Sequence, residues 1–129
     1  MMSEIVRTAV AAYFAATRAM DADAWVATFA EDGVSQDPAG SPPVKGHAAL
    51  RELAANMWGP WQQVGLQEHE IFVAANVAAV KWTGRGRARN GQDFRFEGID
   101  VITVNELGKI ESLLGYWDTS ILAQVTAKA

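Results

Sequence analysis

The chain has no cysteine in 129 residues. That excludes disulfides, thiolate nucleophiles and cysteine-held metals. Histidine is nearly as scarce. His47 and His69 stand far apart and match no metal-ligand spacing, so no metal and no cofactor is expected. Charge of neither sign dominates: 11 basic residues face 15 acidic ones, for a net charge of −4. This gives no electrostatic case for nucleic acid or for an anionic membrane. The one basic run, KWTGRGRAR from Lys81, is broken by glycines and reads as an exposed sheet face. No apolar run is long enough to span a bilayer, and no basic segment followed by an apolar one opens the chain, so the expectation is a cytoplasmic protein. Proline is sparse too. Of four prolines, three fall in VSQDPAGSPPVKG, residues 34–46, directly behind a lone acid, Asp37.

Half of the residues are hydrophobic, which suits one sizeable core, and the length suits a single domain, 1–129. Residues 3–20 carry apolar groups at helical spacing, with Ile5, Ala9, Tyr13 and Thr17 on one stripe and Val6, Val10 and Phe14 beside it. Asp21 or Asp23 caps a second short helix that holds Trp25, Val26 and Phe29 and stops near Gly33. A third helix spans residues 47–58 and ends at Gly59-Pro60.

The remainder reads as strands: 67–73, 76–89, 92–104 and 109–118. Asn90-Gly91 marks a hairpin between the second and third of these. The stretch 119–129 reads as a frayed tail. Helices followed by a strand meander predict an α+β fold, in which a curved antiparallel β-sheet wraps around about three N-terminal helices. Such a cone encloses an apolar pocket fit for a small hydrophobic molecule.

One acid is out of place. In FRFEGIDVITV the alternation puts Phe94, Phe96, Gly98, Asp100, Ile102 and Val104 on one face, and that face is otherwise apolar. A buried carboxylate costs several kcal/mol unless it is paired or protonated, and no cation shares the face. Asp100 is therefore either bonded to a backbone or hydroxyl group, or kept neutral so that it donates a hydrogen bond. Tyr13, on the core stripe of the first helix, needs a partner for its hydroxyl in the same way. Asp37 taken alone reads as a turn residue.

Together, Tyr13, Asp37 and Asp100 lie in a sequence that resembles the ketosteroid isomerases. These belong to the wider NTF2-like (nuclear transport factor 2-like), or SnoaL-like, family. QDPAGSPPVKG and IDVITVNELGKIESLLGYWD carry the likeness most specifically, and it extends along nearly the whole chain. The resemblance implies an NTF2-like cone, Tyr13 as oxyanion tyrosine, Asp37 as general base and Asp100 as protonated oxyanion-hole aspartate, with Trp117 near the base. Phe29 and Ala54 stand where the isomerases have supporting tyrosines.

The implied reaction moves a C=C bond into conjugation with a ketone of a steroid-like or polycyclic substrate, without a cofactor. Holding two carboxyl groups in opposite protonation states is already the known device of those isomerases. The apolar lining candidates are Phe14, Trp25, Phe29, Val34, Leu53, Met57, Trp58, Trp61, Phe96, Ile102, Leu114 and Trp117. Other members of the wider family cyclise polyketides by an aldol step, open epoxides through an Asp-Arg-Asp network, or dehydrate through histidines. A lipophile-binding module without catalysis is a further alternative. The resembled isomerases pair through the outer sheet face, where Ile99 and Val101 stand, so a homodimer is expected.

Overall fold

A computed structural model describes residues 1–128. Among these residues there are four helices and six strands in one sheet. Helix α1 (Met2–Ala19) buries Val6, Ala9, Val10, Tyr13, Phe14, Ala16 and Thr17, the stripe that its spacing predicts. It ends at Met20, whose backbone is left-handed. Helix α2 (Ala22–Ala27) is capped by Asp21, whose Oδ1 accepts from the Ala24 N–H at 3.0 Å. It is shorter than the sequence suggests, because Phe29 begins strand β1 (Phe29–Gln36) instead of closing the helix. A short strand β2 (Val44–Lys45) follows the proline-rich loop. Helix α3 (His47–Trp58) then runs over the expected residues.

The meander consists of β3 (Trp61–Ala74), β4 (Val77–Ala88), β5 (Asp93–Val104) and β6 (Ile110–Trp117). Strand β3 begins six residues earlier than the pattern suggested, and that extension brings Trp61, Val64 and Leu66 to the inner surface. At the hairpin after β4 only Gly91 has positive φ. The Ala88 N–H reaches the Gln92 carbonyl at 2.9 Å, which makes a three-residue turn closed by a left-handed glycine.

The strand order is β2-β1-β6-β5-β4-β3. The sheet is not wholly antiparallel, since β1 pairs parallel with β6 through Ser35 opposite Leu113 and Gln36 opposite Leu114. A parallel neighbour needs a long crossover, and α3 with the meander supplies it. This pairing lays the end of β1, and so Asp37, against the middle of β6.

The inner face of the sheet carries even-numbered residues of β4 and β5, with Val80, Trp82, Asp100, Ile102 and Val104 all buried. Two aromatic rings occupy the space over bare glycines. Trp82 covers Gly98 and Phe96 covers Gly84, and a Cβ at either glycine would strike the ring. Helix α1 approaches β3 closely at Gly65, where Arg18 sits, and Thr17 ties the two together. Its Oγ1 accepts from the Leu66 N–H at 3.1 Å and donates to the Phe14 carbonyl at 2.6 Å.

Residues 121–125 are not a frayed tail. They form a helix, α4 (Ile121–Val125), which buries Val125 against Trp61, Val64 and Ala88. The Asn90 side-chain amide holds its C-terminal end, donating to the carbonyls of Gln124 at 3.0 Å, Val125 at 3.3 Å and Ala127 at 2.8 Å. Among the described residues no helix is long and apolar enough to cross a membrane.

Candidate active site

A cavity of about 520 Å³ opens between α1, α3, the inner sheet face and α4. That volume lies within the usual range for small-molecule sites. Its wall is mostly apolar, formed by Trp25, Met57, Trp58, Pro60, Trp61, Val64, Leu66, Trp82, Phe96 and Trp117, with Ile121, Leu122 and Val125 of α4 closing one side. Rings dominate. Trp61 stacks on Phe96 at 5.9 Å between centroids, and Phe96 meets Trp117 at 6.3 Å.

Polar groups gather at one end. Tyr13 reaches the wall from the buried stripe of α1. Asp37 arrives from the loop after β1, and several hydrogen bonds fix that loop. The Ala39 N–H donates to the Gly115 carbonyl at 2.6 Å, the Ser41 hydroxyl to the Pro38 carbonyl at 2.6 Å, and the Gln36 amide to the Ser41 carbonyl at 3.0 Å. The Asp37–Pro38 bond is cis. The Asp37 carboxylate lies directly over Gly115, where any Cβ would collide with it, and its Oδ1 accepts from the Trp117 indole N–H at 2.5 Å.

Gly115 is the cross-strand partner of Asp100. The two carboxyl groups therefore share the inner face of the sheet, with one bare backbone position between their strands. Asp100 is only 1% exposed and stands behind the cavity surface, not on it. Neither of its oxygens has a hydrogen-bond partner among the described residues.

This placement raises both acids, Asp100 further than Asp37. Burial, and then the charge of Asp37, push the Asp100 carboxyl well above the ordinary carboxylate range, with the nearby Trp82 indole pulling slightly the other way. Enclosure of this kind favours the neutral acid. Burial also raises Asp37, but the Trp117 N–H opposes it by stabilising the anion. Tyr13 is held well above its usual value by burial and then by the charges of Asp100 and Asp37, with the Trp25 indole opposing. Its hydroxyl is a donor at neutral pH. The polar end of the cavity thus carries the Asp37 carboxyl and the Tyr13 hydroxyl, with the Asp100 carboxyl enclosed behind it.

Of the residues expected on the wall, Met57, Trp61, Phe96 and Trp117 are there, with Trp25 and Trp58. Phe14, Phe29 and Ile102 are not. Each is at most 1% exposed and packs within the core behind the wall. Leu53 is half-buried against that core and also leaves the cavity untouched, as do Val34 and Leu114. The alternation put these residues on apolar faces, but a core and a cavity wall share such faces. Trp82 escaped the sequence reading, although its even position in the 76–89 strand places it on the inner face. Gly115 escaped because a missing side chain leaves no pattern, and α4 because five residues give too little periodicity.

Both histidines are engaged elsewhere. His47 Nε2 meets the Phe29 carbonyl at 2.8 Å, and His69 Nε2 meets Thr83 Oγ1 at 2.8 Å. Among the described residues the cavity wall carries neither arginine nor histidine, and no group of three or more His, Asp or Glu is placed to hold a metal ion.

Residues 10–113 match the SnoaL-like domain. Over 116 residues the chain is 31% identical to a steroid delta-isomerase of Nocardioides simplex, covering 90% of this chain and 92% of that relative. Among solved structures it is similar to the epoxide hydrolase/cyclase-like enzyme SalBIII, described for its role in pyran ring formation in the polyether salinomycin. The TM-score is 0.82 at 25% identity, over 93% of this chain and 96% of that one. The likeness extends over helices and sheet alike, so the fold of this chain is the NTF2-like cone.

Proposed function

Because the chain belongs to the SnoaL-like family, whose similar members here are an isomerase and a cyclase-like enzyme, we propose that it is a cofactor-independent isomerase of a polycyclic ketone, a 3-oxo-Δ5-steroid or a close analogue. It moves a C=C bond into conjugation with the ketone. Asp37 takes a proton from the carbon between the alkene and the carbonyl, leaving a dienolate. Tyr13 and neutral Asp100 donate to the oxygen that gains charge. Protonated Asp37 then returns the proton to the far carbon, so the base is regenerated and nothing else is consumed.

One observation carries this reading. Two carboxyl groups meet across Gly115 at the polar end of an apolar cavity; burial raises both, Asp100 far more because the charge of Asp37 adds to it, while the Trp117 N–H counters the rise at Asp37. Asp100 starts behind the wall, and the ketone end of the substrate seats against it. Supporting tyrosines are replaced by buried Phe29 and Ala54, which leaves the three primary groups in place. The similarity to a steroid delta-isomerase supports the substrate class.

The test is turnover of a Δ5-3-ketosteroid followed by the ultraviolet absorbance of the conjugated enone, with no added cofactor. Asp37→Asn should lose at least about 10³-fold in kcat and still bind a phenolic steroid. Wild-type turnover by that variant would remove Asp37 from the role of base.

A second reading keeps the same groups and changes the substrate. Likeness to an enzyme of pyran ring formation favours intramolecular ring closure, with Asp37 as base and Asp100 as acid. The engaged histidines and a wall without arginine disfavour dehydration through histidine and epoxide opening through Asp-Arg-Asp. A product that gains a ring instead of a conjugated enone would select this reading.

We also propose that the active form is a pair of identical chains. Phe72, Ala79, Val101 and Leu114 form an apolar row across the outer sheet face, with Ile99 beside Tyr116 in the next row. Phe72 is 68% exposed, Ile99 45% and Tyr116 51%. Glu70 and Lys81 stand opposite each other at the margin, so a copy turned about a two-fold axis meets charges of both signs.

A further inference from the structure

Two buried donors at the site have nothing to donate to. The indole N–H groups of Trp82 and Trp25 have no hydrogen-bond partner among the described residues, although the two side chains are only 2% and 1% exposed. Both line the cavity. A buried N–H without a partner carries its full desolvation cost, so such groups are rare unless something in the working cycle satisfies them.

Each donor lies beside an acceptor that is also open. Trp82 pairs across the strands with Gly98 and lies over its bare backbone, and the next residue inward on that strand face is Asp100. Both Asp100 oxygens are unpartnered. Trp25 faces Tyr13 with ring centroids 6.1 Å apart, and the Tyr13 hydroxyl, at the cavity wall, lies within the influence of that indole. The glycine at position 98 is what allows the Trp82 ring into this position, because a Cβ there would overlap the Cζ2 and Cη2 atoms of its six-membered ring.

We propose that the Trp82 and Trp25 indole N–H groups are positioning donors, to the Asp100 carboxyl and the Tyr13 hydroxyl respectively, and that these bonds close when the substrate oxygen takes up charge. The proposal rests on the reading of Tyr13 and Asp100 given above. A donor placed on the far oxygen of a carboxylic acid, or on the oxygen of a phenol, makes the remaining O–H a stronger donor. Trp82 also biases which Asp100 oxygen keeps the proton, since the carbonyl oxygen of a neutral acid is a better acceptor for the indole than its hydroxyl oxygen. Trp25 supplies to Tyr13 the support that Phe29 and Ala54, with no polar side-chain atom, cannot. Short hydrogen bonds that form only on ligand binding are common at such sites. The direction in which each indole influences its neighbour agrees, since both favour the charged form of the group they face.

The experiment replaces each indole singly with 3-benzothienylalanine, introduced by nonsense suppression, which keeps the bicyclic shape and exchanges N–H for sulfur. Trp82→Phe and Trp25→Phe are made alongside. In protein carrying ¹³C at aspartate Cγ and tyrosine Cζ, the readouts are the pH titration of Asp100 and the Cζ shift of Tyr13, both with a phenolic steroid bound, and kcat and KM on the Δ5-3-ketosteroid.

At position 82 the benzothienyl side chain should move the Asp100 titration to higher pH, and at position 25 it should shift the Tyr13 Cζ resonance. In both proteins kcat should fall about 3- to 10-fold with KM within about twofold of wild type, the loss of one neutral hydrogen bond. An unmoved Asp100 titration and an unmoved Tyr13 resonance would overturn the proposal even if turnover dropped. Wild-type protein that does not isomerise, but whose resonances respond as stated, would uphold these hydrogen bonds and defeat the assigned reaction instead.

Discussion

The Asp37 carboxylate rests on the backbone of Gly115, in space that exists only because that residue has no side chain. A glycine within a strand weakens it unless its bare backbone lets another group approach. Here it lets a carboxyl group lie on the inner sheet face beside the strand that carries Asp100. Gly115→Ala should therefore be a catalytic lesion in a folded protein. A Cβ forces Asp37 outward from its Trp117 bond, and a displacement of about 1 Å at a proton-transferring group costs about 10²-fold in rate. We expect kcat/KM to fall by about that factor while the thermal midpoint stays close to wild type. Circular dichroism melting with steady-state kinetics on the same sample checks both halves.

Asp100 makes stability depend on pH in an unusual direction. Its folded pKa is raised above the unfolded one, chiefly by burial. Below the unfolded value the folded and unfolded chains both hold the proton, and nothing is lost. Above it the unfolded chain releases the proton while the folded chain keeps it, so stability falls as pH rises towards the folded pKa. The tilt over that window is about 1.4 kcal/mol per pH unit for one group. Asp100→Asn has no proton to release. The difference in unfolding free energy between variant and wild type should grow in favour of the variant from pH 5 to pH 8. Urea melts at both pH values measure it, and a constant difference would mean that Asp100 ionises normally.

The latch between Asn90 and the end of α4 predicts a local effect. Asn90→Ala removes the donors to three carbonyls and should cost about 1–2 kcal/mol of local stability. Since Ile121, Leu122 and Val125 form one side of the cavity, KM should rise more than kcat falls. Amide hydrogen exchange should accelerate over residues 121–127 and stay unchanged in β4 and β5.

If two copies pair through the outer sheet face, Ile99→Lys places a charge in the middle of the apolar rows. Sedimentation velocity should then show a monomer where the wild type shows a dimer, without a change in the circular dichroism spectrum. A wild type that sediments as a monomer at tens of micromolar would remove the pairing.

Much of this site could be read from alternation alone. Asp100 stood out because a strand with period two leaves no ambiguity about which face each residue takes, and its neighbours on that face are apolar. Helix α3 ran to its Gly-Pro stop because breakers act locally. What failed is non-local. The parallel pairing of β1 with β6 joins residues about 80 positions apart, and no short-range pattern encodes it. Phe29 carries the same apolar signal at the end of a helix or the start of a strand. Phe14, Phe29 and Ile102 were assigned to the cavity because burial alone cannot separate a residue behind the wall from one on it. Gly98 and Gly115 act through absent atoms, which become visible only once a ring or a carboxylate is seen to fill their place.

The Asn90-Gly91 turn also puts a clock into the molecule. A glycine nitrogen is the least hindered nucleophile for the side-chain amide that precedes it, so this step is prone to succinimide formation and deamidation. The product is a carboxylate, an acceptor with no N–H, facing the same carbonyl oxygens of Gln124, Val125 and Ala127. Each such event would replace three attractions at the rim of the cavity with repulsions, so an aged preparation should hold two populations, one with a fastened wall and one with a loose wall.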